Sequence, residues 1–258
     1  MMHMTPELLE RMAKQRVLKL SEGLLHFFKE EYPKECKLIG ETNLKTFCTI
    51  STQKAYTYGA QNYGELKTYT HMAWILGIGF DDDPLYPWIP EILMGDDPLA
   101  YRLELLQDKI DANKITIGTY EQLIAYDQAL NKLLRINFAR IKDLKTYTQI
   151  VEILASVYPQ RVEALGGKAI LKENLESLCH QKTIRYNIHH PIGIFVYAAL
   201  VFFLGHRVDE DPLYPWAKKY LNDEEPRMAY KLDKLVKIIE KRVRNLHRET
   251  EQTLKELS

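Results

Sequence analysis

Cysteine, surplus charge of one sign and long apolar runs are all scarce in this sequence of 258 residues. Lys plus Arg equals Asp plus Glu at 35 each, so there is no basic surplus of the kind that predicts binding to nucleic acid. The three cysteines form no Cys-x-x-Cys pair and leave an odd count. This pattern favours a reducing compartment over a disulfide framework. The composition is otherwise globular, with 46% hydrophobic and 27% charged residues.

The apolar runs are too short to predict a membrane span or a secretion leader. The longest, at residues 192–204, falls short of the roughly 20 residues that a bilayer-spanning helix requires. Charged residues interrupt the first sixteen positions, whereas a leader needs a continuous apolar segment. We therefore expect a cytoplasmic protein that does not bind membranes.

Signatures of catalysis are missing as well. The sequence contains no Gly-x-Ser-x-Gly elbow, no Gly-x-x-x-x-Gly-Lys-Ser/Thr phosphate loop and no His-Glu-x-x-His zinc helix. The acidic run at residues 81–83 lacks the Asp-x-Asp-x-Asp-Gly order of a calcium loop. We therefore expect no enzyme activity, no cofactor and no metal site.

What the sequence does contain is one string written twice. LGIGFDDDPLYPW occupies residues 76–88 and LGHRVDEDPLYPW occupies residues 204–216, a spacing of 128. Solenoid repeats have much shorter periods, so this spacing predicts two similar modules that arose by internal duplication. We place the modules at residues 1–118 and 119–258.

Two polar positions ahead of each string recur at the same spacing. Lys54 and Tyr58 in the first copy correspond to Lys182 and Tyr186 in the second. We interpret them as solvated helix surface, with a face shared by both copies as the alternative.

The periodicity of apolar residues predicts an all-α fold. No long alternating run and no Asn-Gly turn indicates a strand. From Tyr120 an apolar stripe runs to Leu154 without proline or glycine. It predicts either one helix of about 60 Å or two helices in series. We expect this long helical segment to join the two modules.

Each repeated string predicts a stiff corner between two helices. We call residues 77–88 the first corner and residues 205–216 the second corner. In each corner a glycine closes an apolar helix by adopting the left-handed conformation. Two prolines then fix the PLYP segment that follows the acids, and a tryptophan begins the next helix.

Two interpretations of the corners stay open. In one, the aromatic rings fill the gap between helices while the carboxylates cap turns. In the other, carboxylates and rings form a surface for a protein partner, because aromatic anchors dominate binding hot spots. The candidate partner-binding residues are Asp81, Asp83, Tyr86, Trp88, Asp209, Asp211, Tyr214 and Trp216.

The order of these features resembles a group of small bacterial proteins encoded beside type VI secretion spike and toxin genes. Their pattern is Tyr-Gly-Ile, an apolar helix, Gly-x-x-Phe-Asp-x-x-Pro-x-x-Pro-Trp and a short Ile-Leu helix. The first copy matches from Leu9 to Leu93. The second copy is looser, with Val208 in place of the phenylalanine, and the tandem arrangement departs from the group's single copy.

The resemblance implies a bacterial accessory protein that binds a secreted toxin or a spike component, as an adaptor, a chaperone or an immunity protein. It supplies no catalytic residues. We therefore predict a non-enzymatic factor whose partner is another protein. One alternative is a structural scaffold. Another is an enzyme or a metal- or ligand-binding protein with a pocket between the copies, lined by Asp82, Asp83, Asp209 and Asp211.

Overall fold

The computed structural model describes residues 6–113, 120–137 and 143–221, together with residue 141 and three isolated positions beyond residue 236. Within these residues all regular structure is helical and no strand occurs, which confirms the all-α prediction. The helices before residue 113 are α1 (Pro6–Glu31), α2 (Pro33–Ile39), α3 (Glu41–Thr57), α4 (Tyr63–Leu76), a 3-10 turn (Phe80–Asp82), α5 (Trp88–Leu93) and α6 (Leu99–Ala112). The helices after it are α7 (Tyr120–Leu134), α8 (Tyr147–Val157), α9 (Pro159–Ala164), α10 (Gly167–Arg185), α11 (Pro191–Leu204) and α12 (Pro215–Leu221).

The same packing of three helices occurs in both halves of the described chain. In the first half, α1, α3 and α4 pack against one another, and in the second half α8, α10 and α11 do the same. The short helices α2 and α9 each begin at a proline that follows a tyrosine. Buried apolar side chains of both halves form one continuous core. This correspondence is what the predicted duplication requires, and common descent of the two halves stays a prediction.

In the described part of the segment predicted as a long helical linker, α7 and α8 are separate helices, so the segment is not a single helix. Thr146, just before α8, has extended backbone with φ −139° and ψ 152°. It forms a capping box with Gln149, which satisfies N–H groups that a helix start leaves free. The apolar period therefore continues in a new helix. The predicted module boundary between residues 118 and 119 lies outside the described residues.

The helices α4 and α11 lead into the corners. Each ends at a glycine with positive φ, +99° at Gly77 and +95° at Gly205. Their ψ values of 156° and 162° differ from the left-handed helical conformation that we predicted. The chain instead leaves each helix extended, in a region that is essentially restricted to glycine. The apolar run 192–204 lies in α11 and is largely buried. No helix among the described residues has both the length and the apolar character needed to cross a membrane.

Replacing Thr146 by alanine removes the cap of α8. We expect the free energy of unfolding to fall by about 1 kcal/mol, because the backbone N–H of Gln149 loses its acceptor. Thr148→Ala is the matched control, since Thr148 is exposed on the same helix. Urea denaturation followed by circular dichroism measures both variants. Equal losses in the two would contradict the role of the cap.

Candidate functional site

The two corners pack directly against each other and exchange hydrogen bonds. The backbone N–H of Ile78 donates to Asp211 Oδ2 at 2.8 Å. In the opposite direction, the N–H of His206 donates to Asp83 Oδ2 at 3.1 Å. The donors stand 128 residues apart in the sequence, and so do the acceptors. Each corner thus supplies one carboxylate to the other corner's glycine turn.

The second oxygen of each of these carboxylates serves its own corner. Asp83 Oδ1 accepts from the N–H of Leu85 at 2.9 Å, and Asp211 Oδ1 accepts from the N–H of Leu213 at 2.8 Å. Both carboxylates are buried, with no more than 2% of either residue exposed. A buried carboxylate is costly unless it is hydrogen-bonded, and here both oxygens have backbone partners. We call Asp83, Asp211 and their four N–H donors the carboxylate clamp.

The clamp requires glycine at the end of α4 and of α11. A Cβ atom on Gly77 would lie 2.9 Å from the carbonyl oxygen of Leu204, and one on Gly205 would lie 2.9 Å from that of Leu76. A carbon atom does not approach a backbone oxygen so closely without a shift of the chain. The repeated glycines therefore allow the close approach of the halves in addition to the unusual φ.

The candidate Asp209 anchors the second corner to its own half. Lys182 Nζ lies 2.6 Å from Asp209 Oδ2, and the Tyr186 hydroxyl donates to the same oxygen at 2.6 Å. The Tyr197 hydroxyl donates to the other oxygen at 3.3 Å. Burial, followed by the hydrogen bond to Asp209, raises the pKa of Tyr186, so this phenol stays protonated as a donor.

Asp81 has the same partners in the first half. Lys54 forms an ion pair with Asp81, and the Tyr58 hydroxyl donates to Asp81 Oδ2 at 3.1 Å. Lys54 Nζ also donates to the carbonyl oxygen of Ile78 at 3.1 Å. The interpretation of the recurring lysine and tyrosine as solvated helix surface is therefore wrong. Their shared spacing with the acids was the sequence signal that the three residues act together.

Charge across the interface is unequal, because two of the four positions at which the corners differ, 78/206 and 79/207, place His and Arg opposite Ile and Gly. His206 and Arg207 of the second corner face Asp82 and Asp83 of the first. The His206 ring nitrogens lie 3.3 Å from Asp83 Oδ2 and 3.4 Å from Asp82 Oδ1, and Arg207 forms an ion pair with Asp82. A Cβ atom on Gly79 would lie 2.6 Å from the His206 ring, so glycine there makes room for these side chains.

The first corner also inserts its tyrosine into the second half. Tyr86 is buried, and its hydroxyl accepts a hydrogen bond from Arg161 Nη2 at 2.8 Å. Arg161 Nε also donates to the carbonyl oxygen of Phe202 at 2.6 Å. Asn174 Nδ2 donates to the carbonyl oxygen of Pro84 at 3.0 Å. Neither Arg161 nor Asn174 was singled out from the sequence, since neither belongs to a repeated motif.

The structure divides the eight candidate residues into two groups. Five lie in the interior, where they hold the corners together: Asp81, Asp83, Tyr86, Asp209 and Asp211. They do not contribute to the surface, and their contacts match the interpretation in which carboxylates cap turns. Three are only partly buried and stay candidates for contact with a partner: Trp88, Tyr214 and Trp216.

The enzyme or ligand-binding alternative expects a pocket between the copies. The gap between the two glycine turns leaves no room for a water molecule. No group of three or more His, Cys, Asp or Glu side chains among the described residues is placed to hold a metal ion. The acids of that alternative bind separate partners: Asp82 binds Arg207, Asp209 binds Lys182, and Asp83 and Asp211 bind backbone N–H groups.

Comparisons with protein-family models, with curated proteins and with solved structures found no match to this chain. The functional proposal below therefore depends on the geometry of the corners and on the sequence pattern.

Alanine at Gly77 or Gly205 should destabilise the protein by forcing the halves apart. Gly40→Ala is the matched control, because Gly40 has similar dihedral angles (φ 83°, ψ 149°) but nothing within 4 Å of an added Cβ. All three alanine variants carry backbone strain, whereas only Gly77→Ala and Gly205→Ala also carry the steric clash. We expect Gly77→Ala and Gly205→Ala to lose about 1–3 kcal/mol more than Gly40→Ala, measured by thermal unfolding. Similar losses in all three would argue against the close approach.

Asp211 should make stability depend on pH. Burial raises its pKa to about 6, against the opposing effect of the N–H groups of Ile78 and Leu213. Because the folded state binds this proton more tightly than the unfolded state, stability falls as pH rises from about 4 to about 6. The contribution is on the order of 3 kcal/mol. Unfolding free energies of wild type and Asp211→Asn across this range should diverge accordingly, and a pH-independent difference would contradict the assignment.

Proposed function

We propose that this chain is a non-enzymatic binding protein of the bacterial cytoplasm whose partner is another protein, a type VI secretion toxin or spike component. The observation that carries the proposal is the partial exposure of Trp88, Tyr214 and Trp216 on corners that buried contacts hold in place. Aromatic side chains are the commonest anchors of protein interfaces. Anchors on a rigid support lose little conformational entropy on binding.

The tyrosine–tryptophan pairs of the two corners have nearly the same geometry. Ring centroids are 6.4 Å apart in both the Tyr86–Trp88 and the Tyr214–Trp216 pair, with interplanar angles of 73° and 71°. Edge-to-face pairs of this kind restrain each other's orientation. Lys109 Nζ lies 4.9 Å from the centroid of the Trp88 ring and restrains that side chain further. These contacts support a preformed recognition surface.

The hydrogen bonds and the ion pair of the buried acids support a binding role over catalysis. Both oxygens of Asp83 and of Asp211 accept backbone hydrogen bonds, and Asp209 is held by Lys182 and by Tyr186. A general acid or base has to reach the proton that it transfers. Carboxylates that are buried and bonded in this way serve to position the corners.

The resemblance to proteins encoded beside spike and toxin genes supports the identity of the partner. An adaptor or chaperone and an immunity protein would both use such a surface, and they differ in outcome for the cell. An immunity protein protects cells that express the neighbouring toxin. An adaptor is needed for delivery of the toxin and gives no protection.

The test is binding of the purified full-length protein to the toxin and spike proteins encoded beside its gene. We expect Trp88→Ala and Trp216→Ala to weaken binding at least tenfold, a loss on the order of 2 kcal/mol for an interface anchor. Leu18→Ala and Leu38→Ala are matched controls, since both leucines are large, apolar and exposed on α1 and α2. Calorimetry gives the affinities, and circular dichroism checks that each variant is folded.

Binding of the wild type to none of these proteins would contradict the proposal. So would equal losses of affinity in the tryptophan and leucine variants.

A further inference from the structure

The outward face of α6 combines acidic and apolar side chains. Its inward side is formed by four buried residues: Leu99, Leu103, Leu106 and Ile110. On the outward side, residues at helical spacing form one exposed stripe: Tyr101, Glu104, Leu105, Asp108 and Ala112. The stripe therefore contains two large apolar side chains beside two carboxylates.

Among the residues that the structure describes, the acids in this region have no cationic partner. Residues 91–111 contain six acidic and two basic residues, although the whole chain is neutral. None of the ion pairs among the described residues involves any of the six acids. The Arg102 guanidinium is occupied by the carbonyl oxygens of Leu93 and Tyr58. Lys109, the other basic residue, lies over the Trp88 ring.

Large apolar side chains are concentrated in the same region. Met94, in the loop before α6, is 74% exposed, Tyr101 is 49% exposed and Leu105 is 37% exposed. Methionine adapts its shape readily and is frequent at protein-binding surfaces. Asp96 and Asp97 are exposed in the same loop. We call the residues of this surface the acidic face: Met94, Asp96, Asp97, Tyr101, Glu104, Leu105 and Asp108.

We propose that the acidic face is the docking surface for a basic amphipathic helix of the partner protein. This inference rests on the proposed function and names the chemistry of the partner. Lysine or arginine side chains along such a helix match the unpaired acids, while its apolar stripe covers Tyr101 and Leu105. Lys109 follows Leu105 by one turn and contacts Trp88, so the tryptophan anchor borders the acidic face.

The probe is a designed peptide of about 18 residues, or about five helical turns, with lysine on one face and leucine on the other. Its control is a scrambled peptide of the same composition, which has the same charge but no apolar face. Fluorescence anisotropy with the full-length protein measures both affinities. We expect the amphipathic peptide to bind at least tenfold more tightly than the scrambled one, and more weakly as salt increases.

Variants of the acidic face should reduce this binding. The double variant Glu104→Lys with Asp108→Lys should weaken it at least tenfold, and Tyr101→Ser with Leu105→Ser at least fivefold. Matched controls lie in the second half on exposed positions of α9 and α10. Glu163→Lys with Glu173→Lys makes the same charge change, and Ile170→Ser with Ile184→Ser makes a similar apolar change. The controls should stay within twofold of wild type, with unchanged circular dichroism.

Two outcomes would overturn the inference. In one, the control variants lose as much peptide affinity as the acidic-face variants. In the other, light scattering shows a wild-type dimer that Glu104→Lys with Asp108→Lys dissociates, so that the occupant is a second copy of the chain.

The toxin and spike binding assay separates this inference from the proposed function. If the wild type and the Glu104→Lys, Asp108→Lys variant bind the same toxin or spike protein equally well, the acidic face is not the docking surface and the proposed function stands. If the wild type binds none of these proteins while the peptide results are as expected, the basic-helix surface is supported and the partner assignment fails.

Discussion

The two halves of the molecule are joined by two buried carboxylates, each of which bonds to backbone N–H groups on both sides of the interface. Removing either Asp83 or Asp211 would leave two buried N–H groups without an acceptor. Such a loss costs more than the net contribution of a hydrogen bond, because the unpaired groups stay desolvated. The same interface requires glycine at Gly77 and Gly205, because each turn approaches a backbone carbonyl of the other half. The buried contacts between the two halves therefore account for the repeated string.

This arrangement combines buried and partly exposed side chains within a single motif. The acids and Tyr86 are buried and fix the relative position of the halves, while Trp88 and Trp216 stay partly exposed. The acidic face of α6 lies beside the first of these tryptophans, which places charge and aromatic contacts on neighbouring parts of the same half.

Much of the fold could be predicted from the sequence, because apolar periodicity and proline and glycine positions are local signals. The helices and both corners followed from them. The pairing of Asp83 with the turn at His206 could not be predicted, because it depends on how two distant segments meet. No local pattern encodes that contact. Lys54 and Lys182 were misinterpreted for a related reason: burial of their ion pairs is a tertiary effect. Arg161 had no repeated counterpart to indicate its contact with Tyr86.

Gly79 makes the interface directional. It leaves space for His206 and Arg207, and the Arg207 guanidinium forms an ion pair with Asp82 of the first corner. If the first corners of two chains were paired, Asp82 and Asp83 would face the same acids without that cation. One missing side chain thus favours pairing of a first corner with a second corner over pairing of two first corners.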